Sequence, residues 1–175
     1  MKKVLPVLLA IILALTACGS QEGPKKVEST ESKATESSAE SKAKEPTFFK
    51  KGETAELNGV QATLVEVQES KGNDINKPKD GNIFVLPFFE IANNGKEKLN
   101  ISSMMSFSAY VDGYAAELDI GALVENKGSQ LDGEVAPGKK LKGAIGLQAP
   151  KNYKDIEIHF SPSMGGDAII FKYTK

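Results

Sequence analysis

The sequence holds one cysteine, Cys18, and one histidine, His159, with neither arginine nor tryptophan. A structural zinc site takes four Cys, His or carboxylate ligands, so one of each is poor material for a metal centre. No Gly-x-Ser-x-Gly elbow, phosphate-cradling loop or dinucleotide glycine pattern occurs. His159 alternates with Ile158 and Phe160, which sends it away from the core beside Glu157 as a surface residue. The paired acids Asp112 with Glu117, and Asp132 with Glu134, fall at turns and strand exits where solvated carboxylates are expected, so a glycosidase-like pair is the weakest chemical reading. The expected catalytic set is empty, no cofactor is implied, and the chain does not read as an enzyme.

Cys18 is the exception, and its chemistry is that of attachment. It directly follows Leu15-Thr16-Ala17, whose small residues suit a signal-peptidase pocket. Before them stand the positive Met1-Lys2-Lys3 segment and an apolar run from Val4 to Leu15. As a helix that run reaches roughly 18 Å, short of the ~30 Å hydrocarbon slab, so it reads as a cleaved export signal over residues 1–17. Leu15, Thr16, Ala17 and Cys18 together form a lipobox of the bacterial lipoprotein kind, with Cys18 carrying a diacylglycerol thioether whose two acyl chains are of the palmitate kind. Two chains, each worth roughly 0.8 kcal/mol per buried CH₂, anchor stably where one would bind marginally. The expected address is the extracytoplasmic face of the cell membrane.

Residues 18–46 follow as a tether. After Cys18 they carry six Glu, five Lys and six Ser, with Val27 as the one sizeable apolar side chain. That composition buries too little surface to offset chain entropy, so a disordered linker is expected, with ends about 30 Å apart on average and roughly 95 Å at full extension. Its alternating charges argue against a polybasic lipid-binding segment.

Residues 47–175 are a usual single-domain length. Their 15 Lys and 17 acidic residues leave them nearly neutral, and the lack of arginine removes the best phosphate and guanine reader, which excludes nucleic acid as a partner. Turn signals about every ten residues, with alternating apolar stretches between them, predict an all-β antiparallel sandwich of about 7–9 strands. Asn58-Gly59 and Asp112-Gly113 are two-residue hairpin turns, and a bulge is expected near Leu64. The second hairpin predicts Phe107, Ala109, Val111, Tyr114, Ala116 and Leu118 facing the core, with Tyr110 an exposed aromatic. The last three strands, around 141–147, 156–160 and 168–173, read as an antiparallel meander.

The most apolar strand spans 82–93. Val85, Phe89 and Ile91 share one face, and Phe84, Leu86 and Phe88 share the other with Glu90, whose preference for water assigns the first set to the core. Either the domain covers the second set itself, with Thr47-Phe48-Phe49 or the irregular segment 120–130, or these side chains form a partner patch; self-covering is favoured. Pro87 conflicts with a central position because it cannot donate to a ladder. In the loop 72–81 the oxygens of Asp74, Asn76 and Asp80 are weak calcium candidates, since Lys79 stands where an EF-hand needs glycine.

The segment 81–94, then Leu131-Asp132-Gly133-Glu134-Val135-Ala136-Pro137-Gly138-Lys139-Lys140-Leu141-Lys142-Gly143 and Ala149-Pro150-Lys151, resembles an uncharacterised family of bacterial surface lipoproteins with an immunoglobulin-like domain. The resemblance implies an Ig-like β-sandwich and carries no active site; Pro87 departs from the family pattern. With a single cysteine and no tryptophan, packing around an intradomain disulfide is excluded. The expectation is a membrane-anchored, non-enzymatic module binding a protein, peptide or glycan, with Phe84, Leu86, Phe88 and Tyr110 as the candidate binding face. The alternative is a solute- or calcium-binding accessory lipoprotein of a transporter or envelope enzyme.

Overall fold

The computed structural model describes residues 23–27, 46–125, 130–163 and 165–175. The signal segment and Cys18 lie outside the described residues, as does most of the tether. Two sheets pack face to face, with a small ribbon beside them.

The first sheet is built from β1 (Lys25–Val27), β3 (Thr54–Leu57), β4 (Val60–Ser70) and β5 (Asn82–Asn93), in that order. The far edge of β5 pairs in succession with β10 (Lys140–Ala144) and β11 (Leu147–Pro150). The second sheet has the order β2 (Phe48–Phe49), β13 (Ile169–Thr174), β12 (Asp155–Phe160), β7 (Phe107–Val111) and β8 (Tyr114–Ala116). β6 (Leu99–Ile101) and β9 (Gly133–Val135) make the ribbon. The architecture is the expected Ig-like antiparallel sandwich, with β2 joining β13 in parallel. The described residues hold thirteen strands rather than 7–9, because several have only two or three residues and the apolar run 141–147 is divided between β10 and β11.

The turns follow from their chemistry. Asn58 and Gly59 both have positive φ, 53° and 77°, as do Asp112 and Gly113, 48° and 83°, the conformation a two-residue hairpin needs to match strand twist. The ladder between β4 and β5 slips between Leu64 and Glu66, leaving Val65 exposed in a bulge.

The core lies between the sheets. Ile83, Val85, Phe89 and Ile91 of β5 face Phe107, Ile156, Ile158, Phe160 and Phe171. The Phe89 ring stands 5.3 Å from Phe107 and 5.4 Å from Phe171, tying two strands of the second sheet to the centre of the first. Each such side chain, fully buried, contributes about 1.5–3 kcal/mol, which is what holds two otherwise separate sheets together.

Pro87 sits where the sheet can tolerate it. Its carbonyl accepts the Ile145 N–H at 3.1 Å, so its nitrogen, which has no proton, faces the same neighbour. There the neighbour breaks: β10 ends at Ala144, β11 begins at Leu147, and Ile145-Gly146 fills the gap. A short helix, α1 (Ile120–Glu125), rests over this break. Asp119 caps it, its Oδ1 accepting the Gly121 N–H at 2.7 Å, and the Asp119 N–H donates to the Gly146 carbonyl at 2.7 Å. Among the described residues no helix is long and apolar enough to cross a membrane.

Four expectations need correction. Lys25–Val27, placed in a disordered linker, adds a strand to the β3 edge. The last three strands are no meander: β12 and β13 pair, but β10 and β11 belong to the other sheet. Tyr114 is 80% exposed, since it lies beside the hairpin turn on the short edge strand β8, where it extends past the core. Segment 120–130 opens with a capped helix instead of irregular chain.

Candidate functional site

A sandwich has two outer faces, and here they differ. On the first sheet the alternation of β5 turns Phe84, Leu86 and Phe88 outward, and α1 covers them. Phe84 is 1% exposed and Leu86 3%, packed with Ala122, Leu123 and Ala144, while Phe88 is partly buried against the same cluster. These three residues therefore present no contiguous accessible patch. Tyr110, the fourth member of the expected face, lies on the other sheet. Cover by the 120–130 segment, within the favoured expectation, is what removes Phe84 and Leu86 from the surface: α1 lays Ala122 and Leu123 against the strand, while Ile120 and Val124, 58% and 68% exposed, stay on its outer side.

The second sheet's outer face carries no helix among the described residues. Strand register places its side chains in rows. One row runs Phe48, Ile170, His159 and Ser108, and the next runs Lys172, Glu157 and Tyr110. Phe48 is 42% exposed, and Ile170, His159 and Tyr110 are half-buried. The Tyr110 and His159 rings stand 5.1 Å apart, and the Lys172 ammonium lies 5.6 Å from the Phe48 ring centroid. Glu157 and Asp155 hold that ammonium at 3.0 and 3.6 Å, and the hydrogen bond it donates to Glu157 chiefly raises the lysine's pKa. Beside Phe48 opens a recess of about 550 Å³ lined also by Lys50, Lys51, Lys172, Tyr173 and Thr174.

His159 is not the solvated surface residue its parity suggested. Its Nε2 is enclosed without a hydrogen-bond partner among the described residues, and desolvation lowers its pKa against the opposing pull of Glu157. Buried polar atoms are normally satisfied, so this enclosed nitrogen is an exception to the rule.

The other chemical candidates are occupied structurally. In the 72–81 loop the Asn76 side-chain amide donates to the Gly121 carbonyl at 2.7 Å, bracing α1, and Asp74 faces Lys77 at 3.9 Å. Asp80 lines a shallow recess with Lys71, Lys77, Lys79 and Lys151, surroundings that favour an anion over a cation. Among the described residues no three His, Cys, Asp or Glu side chains gather as a metal site. Asp112 accepts the backbone N–H groups of Asp155 and Lys154, which lower its pKa. Asp132 accepts from the buried Ser103 through both its N–H and its hydroxyl, at 2.9 and 2.8 Å. Neither acid meets its sequence partner in a reactive pair.

The sequence reading missed Phe48, Ile170 and Lys172. The signal was present: Ile169 and Phe171 point inward, so parity sends Ile170 and Lys172 outward, and only one of Phe48-Phe49 can enter the core.

The fold and this face define an Ig-like β-sandwich domain. Residues 49–170 match the family described as a domain of unknown function (DUF4352), and the chain belongs to it. That span contains all three segments on which the family resemblance rested. Among solved structures the ycdA chain of Bacillus subtilis, described as a candidate lipoprotein, is 20% identical at a TM-score of 0.52, over 67% of this chain and 37% of its own. This chain thus spans little more than a third of that relative. The yjhA protein of Bacillus subtilis is 18% identical at a TM-score of 0.52, over 70% of this chain and 97% of its own. An uncharacterised β-sandwich protein of Clostridium difficile 630 is 18% identical at a TM-score of 0.49, over 77% of this chain and 100% of its own. No curated protein matches the chain.

Proposed function

We propose that the chain is an extracytoplasmic, lipid-anchored binding module that works without catalysis, its ligand a protein, peptide or glycan docking on the outer face of the five-stranded sheet. The observation that carries this reading is the contrast between the two outer faces. One is covered by α1, while the other presents Phe48, Ile170 and His159 in one half-exposed row, with Tyr110 in the row beside it and Lys50, Lys51 and Lys172 along the border. Aromatic rings combined with a polar tip or a neighbouring cation are the usual anchors of binding surfaces. The lipobox at Leu15-Thr16-Ala17-Cys18 supports the anchor, and the lipoprotein description of the ycdA protein agrees with it.

Two variants test the two halves separately. Cys18→Ser removes the thiol that carries the lipid, so it is expected to keep its export signal and migrate as the larger precursor, and a variant that still sediments with membranes at the usual size overturns the anchor. Phe48→Ala with Tyr110→Ala is expected to stay anchored and folded while losing the partner captured by the unsubstituted protein on intact cells. Undiminished capture overturns the face.

A further inference from the structure

Strand β1 has no core residue to explain it. Lys25, Lys26 and Val27 are all exposed, yet they pair with β3 in the register Lys25 with Glu56, Lys26 with Ala55 and Val27 with Thr54. The Lys26 ammonium also meets Glu53 at 2.6 Å. Without β1 the backbone of β3 would be an open sheet edge, which proteins usually cover.

The strand's position in the chain gives it a consequence. From Cys18 to Lys25 an extended chain reaches at most about 25 Å, whereas from Cys18 to Phe48 it reaches about 105 Å. A docked β1 therefore shortens the working tether about fourfold. Because β1 runs antiparallel to β3, the chain arriving from Cys18 meets the sandwich at the Glu56 end, next to the Asn58-Gly59 turn. That turn abuts the loop 94–98, with the Asn94 N–H donating to the Gly59 carbonyl at 2.8 Å. The opposite end, where Asn82 pairs with Pro150, is a β5 length away, about 40 Å for twelve residues.

We propose that β1 is an orienting brace, which seats the end of the sandwich formed by Asn58-Gly59 and residues 94–98 against the lipid surface. The brace rests on the Cys18 anchor reading and goes beyond it by fixing which end of the domain meets the bilayer. Charge is close to balanced there: Lys25, Lys96, Lys98 and Lys139 at this end face Glu56, Glu97 and Glu134, with Lys98 and Glu134 paired at 2.8 Å. The orientation should hold on neutral membranes.

The test uses the mature lipidated chain in phosphatidylcholine vesicles that contain an acceptor-labelled lipid. A donor dye is placed on Lys96→Cys or on Lys151→Cys, the thiol of Cys18 being consumed in its thioether. Energy transfer is expected to be several-fold stronger from position 96. Replacing Lys25-Lys26-Val27 with Gly-Ser-Gly is expected to remove that difference while the sandwich keeps its cooperative thermal unfolding. Equal transfer from the two positions in the braced chain, or an unchanged difference in the replaced one, overturns the brace. Flotation with the vesicles reports the anchor independently. Its loss overturns the anchor and the brace together, while retained flotation with equal transfer removes the brace alone.

Discussion

Gly146 lies directly under Ala122. A Cβ built at position 146 would stand 2.8 Å from the Ala122 Cβ and 2.5 Å from the Asp119 carbonyl oxygen. The close approach lets α1 settle into the gap between β10 and β11 and cover Phe84 and Leu86, which decides which outer face of the sandwich is left bare.

Gly146→Ala is therefore expected to lift α1 from the sheet. Overpacking of this kind costs about 1–3 kcal/mol. Denaturant unfolding should show the loss, and binding of a hydrophobic dye in native buffer should rise as Phe84 and Leu86 become accessible.

Asn93 is buried at 2% exposure at the end of β5 and uses its whole side chain. Its amide donates to the carbonyls of Glu97 and Val135 at 2.7 Å each, and its Oδ1 accepts the Gly95 N–H at 3.0 Å. Asn93→Ala leaves three backbone groups without that partner and is expected to cost about 2–4 kcal/mol. The same unfolding measurement checks it, with Asn94→Ala, an exposed neighbour, as the silent control.

The fold was legible where one rule governs one residue. Positive-φ turn pairs at Asn58-Gly59 and Asp112-Gly113, and period-two alternation in β5 and β12, place most of the sandwich without further information. Which outer face stays open was not legible, because it depends on what lies above a strand. Parity shows that Phe84 leaves the core and made the 120–130 segment one of two candidate covers, but six residues of helix are too few for periodicity to announce the form that cover takes. Pro87 looked misplaced for the same reason: its tolerance rests on a break at Ile145-Gly146 in a strand nearly sixty residues later. Tether composition, in turn, says nothing of Lys25–Val27 finding an edge to pair with.

His159 gives the stability a pH dependence of defined sign. Its pKa is lowered below 6.5 by desolvation, so between its folded value and 6.5 the unfolded chain binds more protons. Stability is then complete above about pH 6.5 and falls with acidification through that window. The groups facing the ring are Tyr110, Ser108 and Glu157. His159→Asn is expected to flatten the thermal midpoint between pH 5 and 7. A second decline below pH 4.5 should persist in the variant. It arises from Glu90, whose pKa is lowered by hydrogen bonds from Lys140 and Lys142, and from Asp112, lowered by the Asp155 and Lys154 backbone.

The hydroxyl of Tyr153 donates to Glu69 Oε1 at 2.7 Å, with the Lys175 ammonium 4.7 Å from the ring centroid and 2.8 Å from the same carboxylate. Burial, then this bond, pushes the phenol's pKa upward. Tyr153→Phe keeps the packing and is expected to cost about 0.5–1.5 kcal/mol, measured by denaturant unfolding at neutral pH.

Which outer face meets the ligand is tested most directly by photocrosslinking on intact cells. A photoreactive residue is placed at position 48 or 110 on the five-stranded sheet, or at position 66 on the opposite one. Discrete adducts from 48 and 110 with none from 66 are predicted. Adducts confined to 66, or the same adducts from all three positions, would contradict the assignment of the binding face.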